Sequence, residues 1–137
     1  YMVQRLRELG EITEGELMDN YVTFLAGIFR SVRFGASSAH GRANMIRFNY
    51  FSDAGAFTRD PETGTYRVNV VEFEQAVKDL SNVLLVLQGD GNYEKVAAFV
   101  AENGNVGARL QADLNRLDAI SIPVDIVYQQ GREVLGL

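Results

Sequence analysis

The chain of 137 residues contains no cysteine and no tryptophan, only two prolines and a single histidine. Without thiols it can form neither disulfides nor thiolate metal sites, and it has no cysteine nucleophile. One histidine, His40, cannot by itself build a two-histidine zinc site. No apolar run approaches the ~20 residues of a membrane-spanning helix. The longest aliphatic stretch, residues 83–87, is of a size that suits a core. The first residues do not read as a signal peptide, and a cytoplasmic location is expected. The sequence also lacks an HExxH pair, a GxSxG elbow, a dinucleotide fingerprint and a Nudix box.

What is present is ordinary globular composition: 47% hydrophobic and 23% charged residues. That is enough apolar material for one packed domain and argues against disorder. The net charge of -5 opposes binding to a phosphate backbone. Neither nucleic acid nor membrane is an expected partner.

The pattern is mainly helical, a bundle-like single domain over residues 1–137 with one small β-hairpin and an extended carboxy-terminal segment. Residues 1–9 read as the tail of a helix that Gly10 ends, and the start at Tyr1 within it leads us to expect a piece of a longer protein. Thr13 and Glu16 have the spacing of a capping box. Leu17, Tyr21, Phe24, Leu25, Ile28, Phe29 and Val32 recur at helical intervals and predict a mostly buried stripe. Ser37 or Ser38 should cap a third helix over 39–53, whose apolar residues are spread too widely for one narrow face. Segments 56–58 and 65–70 should pair around Pro61 and Gly64. Phe73, Ala76, Val77, Leu80, Val83, Leu84 and Leu87 mark the clearest helix, stopped near Gly89 to Gly91. Asn92 should cap a shorter helix that ends at Asn103 and Gly104. A further helix is expected over 106–117, and 124–128 alternates like a short strand.

Few residues offer chemistry. His40 lies at the expected start of the third helix, where free N–H groups and the dipole favour an anion. With Arg42 nearby, the imidazole suits a carboxylate or a developing oxyanion. Taken alone, the residues favour the plainer reading of His40 as a surface or half-buried first-turn residue. Phe29, Arg30, Arg33 and Phe34 interleave bases and aromatics, a pattern better explained by a helix whose arginines snorkel to water. Glu72, Glu74 and Asp79 fit a solvated helix face. Residues 88–92 lack the ligand series of an EF-hand loop and the lysine of a P-loop, and read as a turn.

The run Tyr21-Val22-Thr23-Phe24-Leu25-Ala26-Gly27-Ile28-Phe29-Arg30-Ser31-Val32-Arg33-Phe34-Gly35 resembles a stretch of dipeptidyl-peptidase III proteins. Within that family it is most similar to the branch often fused to an amino-terminal Nudix hydrolase domain. The likeness continues through Ala39-His40-Gly41-Arg42, Phe48-Asn49-Tyr50-Phe51 and Gly55-Ala56-Phe57, and returns at Ile122-Pro123-Val124-Asp125-Ile126. It implies a two-lobed zinc peptidase that removes dipeptides from the amino termini of short peptides. In such a parent, two histidines of an HExxGH-type motif and a later glutamate hold the zinc, and none of these is in this chain. By the resemblance, this chain is the carboxy-terminal part of the helical zinc lobe, inactive alone and contributing a cleft wall. His40 matches the family's substrate-binding histidine, and Arg42 a basic residue of some members.

The implied partners are a short peptide substrate and the remainder of the parent peptidase. The resemblance also implies an uncovered apolar face at Tyr1, Met2 and part of the stripe from Phe24 to Phe29, and homodimer formation is one way to cover it. An independent helical module that binds a protein or peptide, and a carboxy-terminal domain of a Nudix-type hydrolase, are the competing readings.

Overall fold

The computed structural model describes residues 1–33, 35–120 and 129–136. Among them are seven helices and one two-stranded antiparallel sheet, so the fold is mainly α. The chain divides into two compact units, Tyr1–Gly107 and Ala108–Leu137.

The first unit is built around α2 (Leu17–Val32), α3 (Ala39–Asp53) and α4 (Val70–Asp90). On α2, the buried side chains are Tyr21, Leu25, Ile28 and Val32, spaced three and four apart as one face of a helix requires. The α3 helix contributes Met45, Phe48 and Phe51. It touches α2, α4, α5 (Tyr93–Asn103) and β1 (Phe57–Arg59). Coverage from several sides explains why its apolar residues are not confined to one stripe. From α4, Phe73, Ala76 and Leu80 are buried.

The core is aromatic. Tyr21 stacks on Phe73 with ring centroids 4.4 Å apart, and Phe51 meets the same ring at 4.9 Å. A second cluster joins Phe29 to Tyr66 at 4.8 Å and Phe48 to Phe57 at 5.0 Å. Phe29 is thus half-buried against the hairpin while Arg30 is exposed, as expected for a helix that sends its arginines to water.

The hairpin pairs β1 with β2 (Tyr66–Val68), with Phe57 opposite Val68 and Arg59 opposite Tyr66. Asp60 organises its loop: the side chain accepts from Glu62 N at 2.9 Å and Thr63 N at 2.8 Å. These bonds, the Thr63 ones first, hold the Asp60 carboxyl below its usual range.

Two local expectations are corrected. The box from Thr13 to Glu16 does not close: Glu16 occupies the cap position without a side-chain bond. Instead, the guanidinium of Arg7, on α1 (Met2–Glu8), donates to the carbonyls of Glu14 and Gly15 at 2.7 and 2.6 Å. The stripe on α2 is mostly buried, as expected, and Phe24 is 39% exposed, within the part expected to be uncovered. The aliphatic run of α4, by contrast, is not a core: Leu84, Leu85 and Val86 are all exposed. That helix continues through Gly89 and stops at Gly91, which takes the left-handed conformation at φ 61°.

Asn92 caps α5 by accepting from Lys95 N at 3.0 Å, as its position predicts. The second unit contains α6 (Ala108–Ala119) and the short α7 (Arg132–Leu135). On α6, Leu110 and Leu114 share a face one turn apart and are buried. The strand expected over 124–128, and with it the extended carboxy-terminal segment, lies outside the described residues.

Candidate functional site

The amino terminus of α3 carries both candidate residues. Ser38 is extended at φ -73° and ψ 158°, and its hydroxyl accepts from Gly41 N at 3.0 Å. The Ser38 carbonyl accepts from Arg42 N at 2.9 Å, closing the first turn. This cap fixes the helix start and presents His40 from the first turn with its ring exposed.

Gly41 is there for lack of space. A Cβ at this position would come within 2.7 Å of the Gly35 carbonyl oxygen and 2.9 Å of Ala36 Cα. The turn entering α3 folds directly against the helix backbone, and any side chain at 41 would push it away. The sequence shows a Gly-Arg step here but not this contact, which only folding creates.

His40 and Arg42 lie two positions apart on the first turn of α3. Two residues along a helix are about 200° apart around its axis. Arg42 lays its methylenes over Gly104, where an added Cβ would meet Arg42 Cγ at 3.0 Å. It borders a cleft of about 680 Å3, with Tyr93, Val96, Val100 and Asn105 among the walls. His40 is not among the residues lining that cleft.

Asn49, which sequence reading passed over, ties α3 to the end of α5. Its amide donates to the carbonyls of Asn103 and Asn105, both at 2.8 Å. Asn103 in turn donates to Phe99 O at 3.0 Å and is buried. The α3 helix that carries His40 is therefore held by directional bonds as well as by its aromatic face. An asparagine within an apolar helical pattern was the available signal.

A larger cleft of about 930 Å3 opens between α2 and α4. Its lining includes Tyr21, Phe24, Phe51, Phe73 and Leu80, together with the charged Glu14, Glu16, Asp19 and Arg47. Burial, with smaller contributions from Glu74 and Glu8, pushes the Tyr21 hydroxyl up to about 12.

Among the described residues, the side chains are not arranged to hold a zinc ion. The chain has one histidine and no cysteine, and the described residues gather no group of three His, Cys, Asp or Glu side chains able to hold a metal. Glu72, Glu74 and Asp79 stay apart on α4, with Asp79 accepting from Gln75 at 2.8 Å. Among the described residues no helix is long and apolar enough to cross a membrane.

Comparison with known proteins defines the class. Dipeptidyl-peptidase III from Corallococcus sp. strain EGB matches with a TM-score of 0.84 and 34% identity, over 92% of this chain and 23% of that one. The structure of DPP III from Caldithrix abyssi matches with a TM-score of 0.70 and 37% identity, over 77% of this chain and 20% of that one. In sequence and fold the chain is thus a dipeptidyl-peptidase III-like segment. A curated relative is Nudix hydrolase 3 of Arabidopsis thaliana, 35% identical over 117 residues, which are 85% of this chain and 15% of that protein. The resemblance to the Nudix-associated branch read from the sequence is borne out by this match. No family model matches the chain. The chain spans less than a quarter of each of these relatives.

Proposed function

We propose that this chain is the carboxy-terminal part of the helical lobe of a larger zinc-dependent, dipeptidyl-peptidase III-like hydrolase. In that protein it forms one wall of the substrate cleft, and His40 binds a short peptide substrate. The observation that carries the reading is the exposed imidazole on the first turn of α3, fixed by the Ser38 cap and by the Asn49 ties. A rigid, helix-borne imidazole can donate a hydrogen bond to a peptide carbonyl or to the charge developing on it. Arg42, whose stem lies over Gly104, is the second substrate-binding residue of this reading. Zinc belongs to the parent and would be held by residues outside this chain.

The isolated chain should release no dipeptide and bind zinc only weakly. The decisive test is His40→Ala in the longer protein, assayed on an arylamide that reports dipeptide release. We expect kcat/KM to fall on the order of 100-fold, with folding unchanged by circular dichroism. Turnover equal to the unsubstituted protein would make His40 an ordinary surface residue and remove this role.

A further inference from the structure

Where α5 ends, the chain sets an asparagine directly before a glycine: Asn103 is the last helical residue and Gly104 follows it. This pair is chemically labile, because glycine has no side chain to shield its own amide nitrogen. That nitrogen can attack Asn103 Cγ. A ring C–N bond forms, the Cγ–Nδ2 bond breaks, and the amide proton leaves with Nδ2 as ammonia. Solvent water then opens the cyclic imide at either carbonyl, giving aspartate or isoaspartate.

The fold holds the reacting atoms apart. Ring closure needs Gly104 N to swing towards Asn103 Cγ, which takes Asn103 out of its helical torsions. The Gly104 N–H is already committed to the Val100 carbonyl at 2.8 Å. The Asn103 amide donates to Phe99 O at 3.0 Å, and the residue is 7% exposed. The carbonyl that would enter the ring is Asn103 O. Asn49 Nδ2 grips it at 2.8 Å, and grips Asn105 O on the other side of Gly104 at the same distance.

The glycine is imposed by packing. Its φ is -87°, which any residue can adopt, but an added Cβ would stand 2.6 Å from Val100 O and 3.0 Å from Arg42 Cγ. The contact that creates the labile pair is therefore part of the contact that keeps it from reacting. Asp90 and Gly91, at the opposite end of α5, make a contrast. Asp90 is exposed, and its cyclisation, with water leaving in place of ammonia, lies outside the reach of Asn49.

We propose that Asn103 is a deamidation site gated by the Asn49 tie, so that release of the end of α5 from α3 is converted into a permanent change. Chemistry that occurs only in an opened form proceeds in proportion to the population of that form. The product cannot restore the original contacts. Neither aspartate nor isoaspartate has an amide to donate to Phe99 O, and isoaspartate lengthens the backbone at the carbonyl that Asn49 holds. The inference is independent of the peptidase reading, since all these residues lie within the first compact unit of this chain.

The test incubates the 137-residue chain in mildly alkaline buffer. Conversion at each site is read by peptide mapping with mass spectrometry, and isoaspartate by enzymatic methylation. We expect Asn103 in the native chain to convert about tenfold or more slowly than in the same chain unfolded in urea. Asn49→Ala should raise the native rate at Asn103 about tenfold and leave isoaspartate formation at Asp90 as it is. Leu25→Ala, a buried change on α2, serves as the control for global destabilisation and should raise the Asn103 rate less. Asn103→Asp should speed amide exchange at the end of α5, as Asn49→Ala does.

Equal rates at Asn103 in the native and unfolded chain overturn the proposal, and that comparison stands even where a variant fails to fold. An Asn49→Ala rate equal to the parent's overturns it too, as does a rise no larger than that of Leu25→Ala. Amide exchange unchanged in Asn103→Asp would remove the claim that the conversion breaks the tie.

Discussion

Helices α3 and α4 meet in the same core, yet their surroundings differ along their lengths. The α3 helix has partners on several sides, from α2, α4, α5 and the first strand. The α4 helix is buried through Phe73, Ala76 and Leu80, but beyond Leu80 it carries Leu84, Leu85 and Val86 into the open. A helix with scattered apolar residues is thus the covered one, and a helix with regular apolar spacing is half uncovered. Apolar periodicity reports which face seeks a partner. It does not report whether the partner lies within the same chain.

The difference can be broken or sharpened experimentally, beginning with the largest effect. Phe73 is 1% exposed and packs against Tyr21 and Phe51. Phe73→Ala should cost about 3–5 kcal/mol in urea unfolding. Leu85→Ala, on the open half of the same helix, should stay within about 0.5 kcal/mol. Comparable losses at the two sites would mean that α4 is covered along its whole length, contrary to the contrast drawn above.

Next is Asn49→Ala, which leaves the carbonyls of Asn103 and Asn105 without their donor. A loss of about 1–3 kcal/mol is expected, with faster amide exchange at the end of α5. Exchange unchanged there would show that α3 is held by its aromatic face alone.

The smallest effect is a pH dependence where α2 meets α4. The Tyr21 hydroxyl is raised from 10.0 to about 12, so the folded chain keeps a proton that the unfolded chain has already released. Its contribution is complete below pH 10 and declines as pH rises from about 10 to about 12. Tyr21→Phe should remove this alkaline decline in thermal unfolding. A variant that loses stability in parallel with the parent over that range would place the titration elsewhere.

Much of the local architecture was legible because its signals are local. Ser38 and Asn92 are capping residues that bond N–H groups three positions ahead, and the sequence places donor and acceptor together. Asp60, Pro61 and Gly64 mark the hairpin turn for the same reason. Failures arise where contacts between distant groups set the local backbone. Thr13 and Glu16 have the right spacing for a box, yet Glu16 itself sits at the cap position without a side-chain bond, in a loop whose Glu14 and Gly15 carbonyls accept from Arg7 of the preceding helix. The candidate site divides likewise. The position of His40 on a first helical turn could be read, but the stem of Arg42 on Gly104 and the closeness of Gly41 to Gly35 could not.

The sequence by itself determined the helical class, the cap residues, the hairpin and the absence of a thiol or a second histidine, since each follows from residue type and short-range spacing. Only the tertiary structure decided which apolar faces are covered, that the stem of Arg42 lies over Gly104, and that α3 is pinned through Asn49. Those outcomes depend on groups that meet across tens of residues, where packing and hydrogen-bond geometry choose among contacts that local pattern leaves equally open.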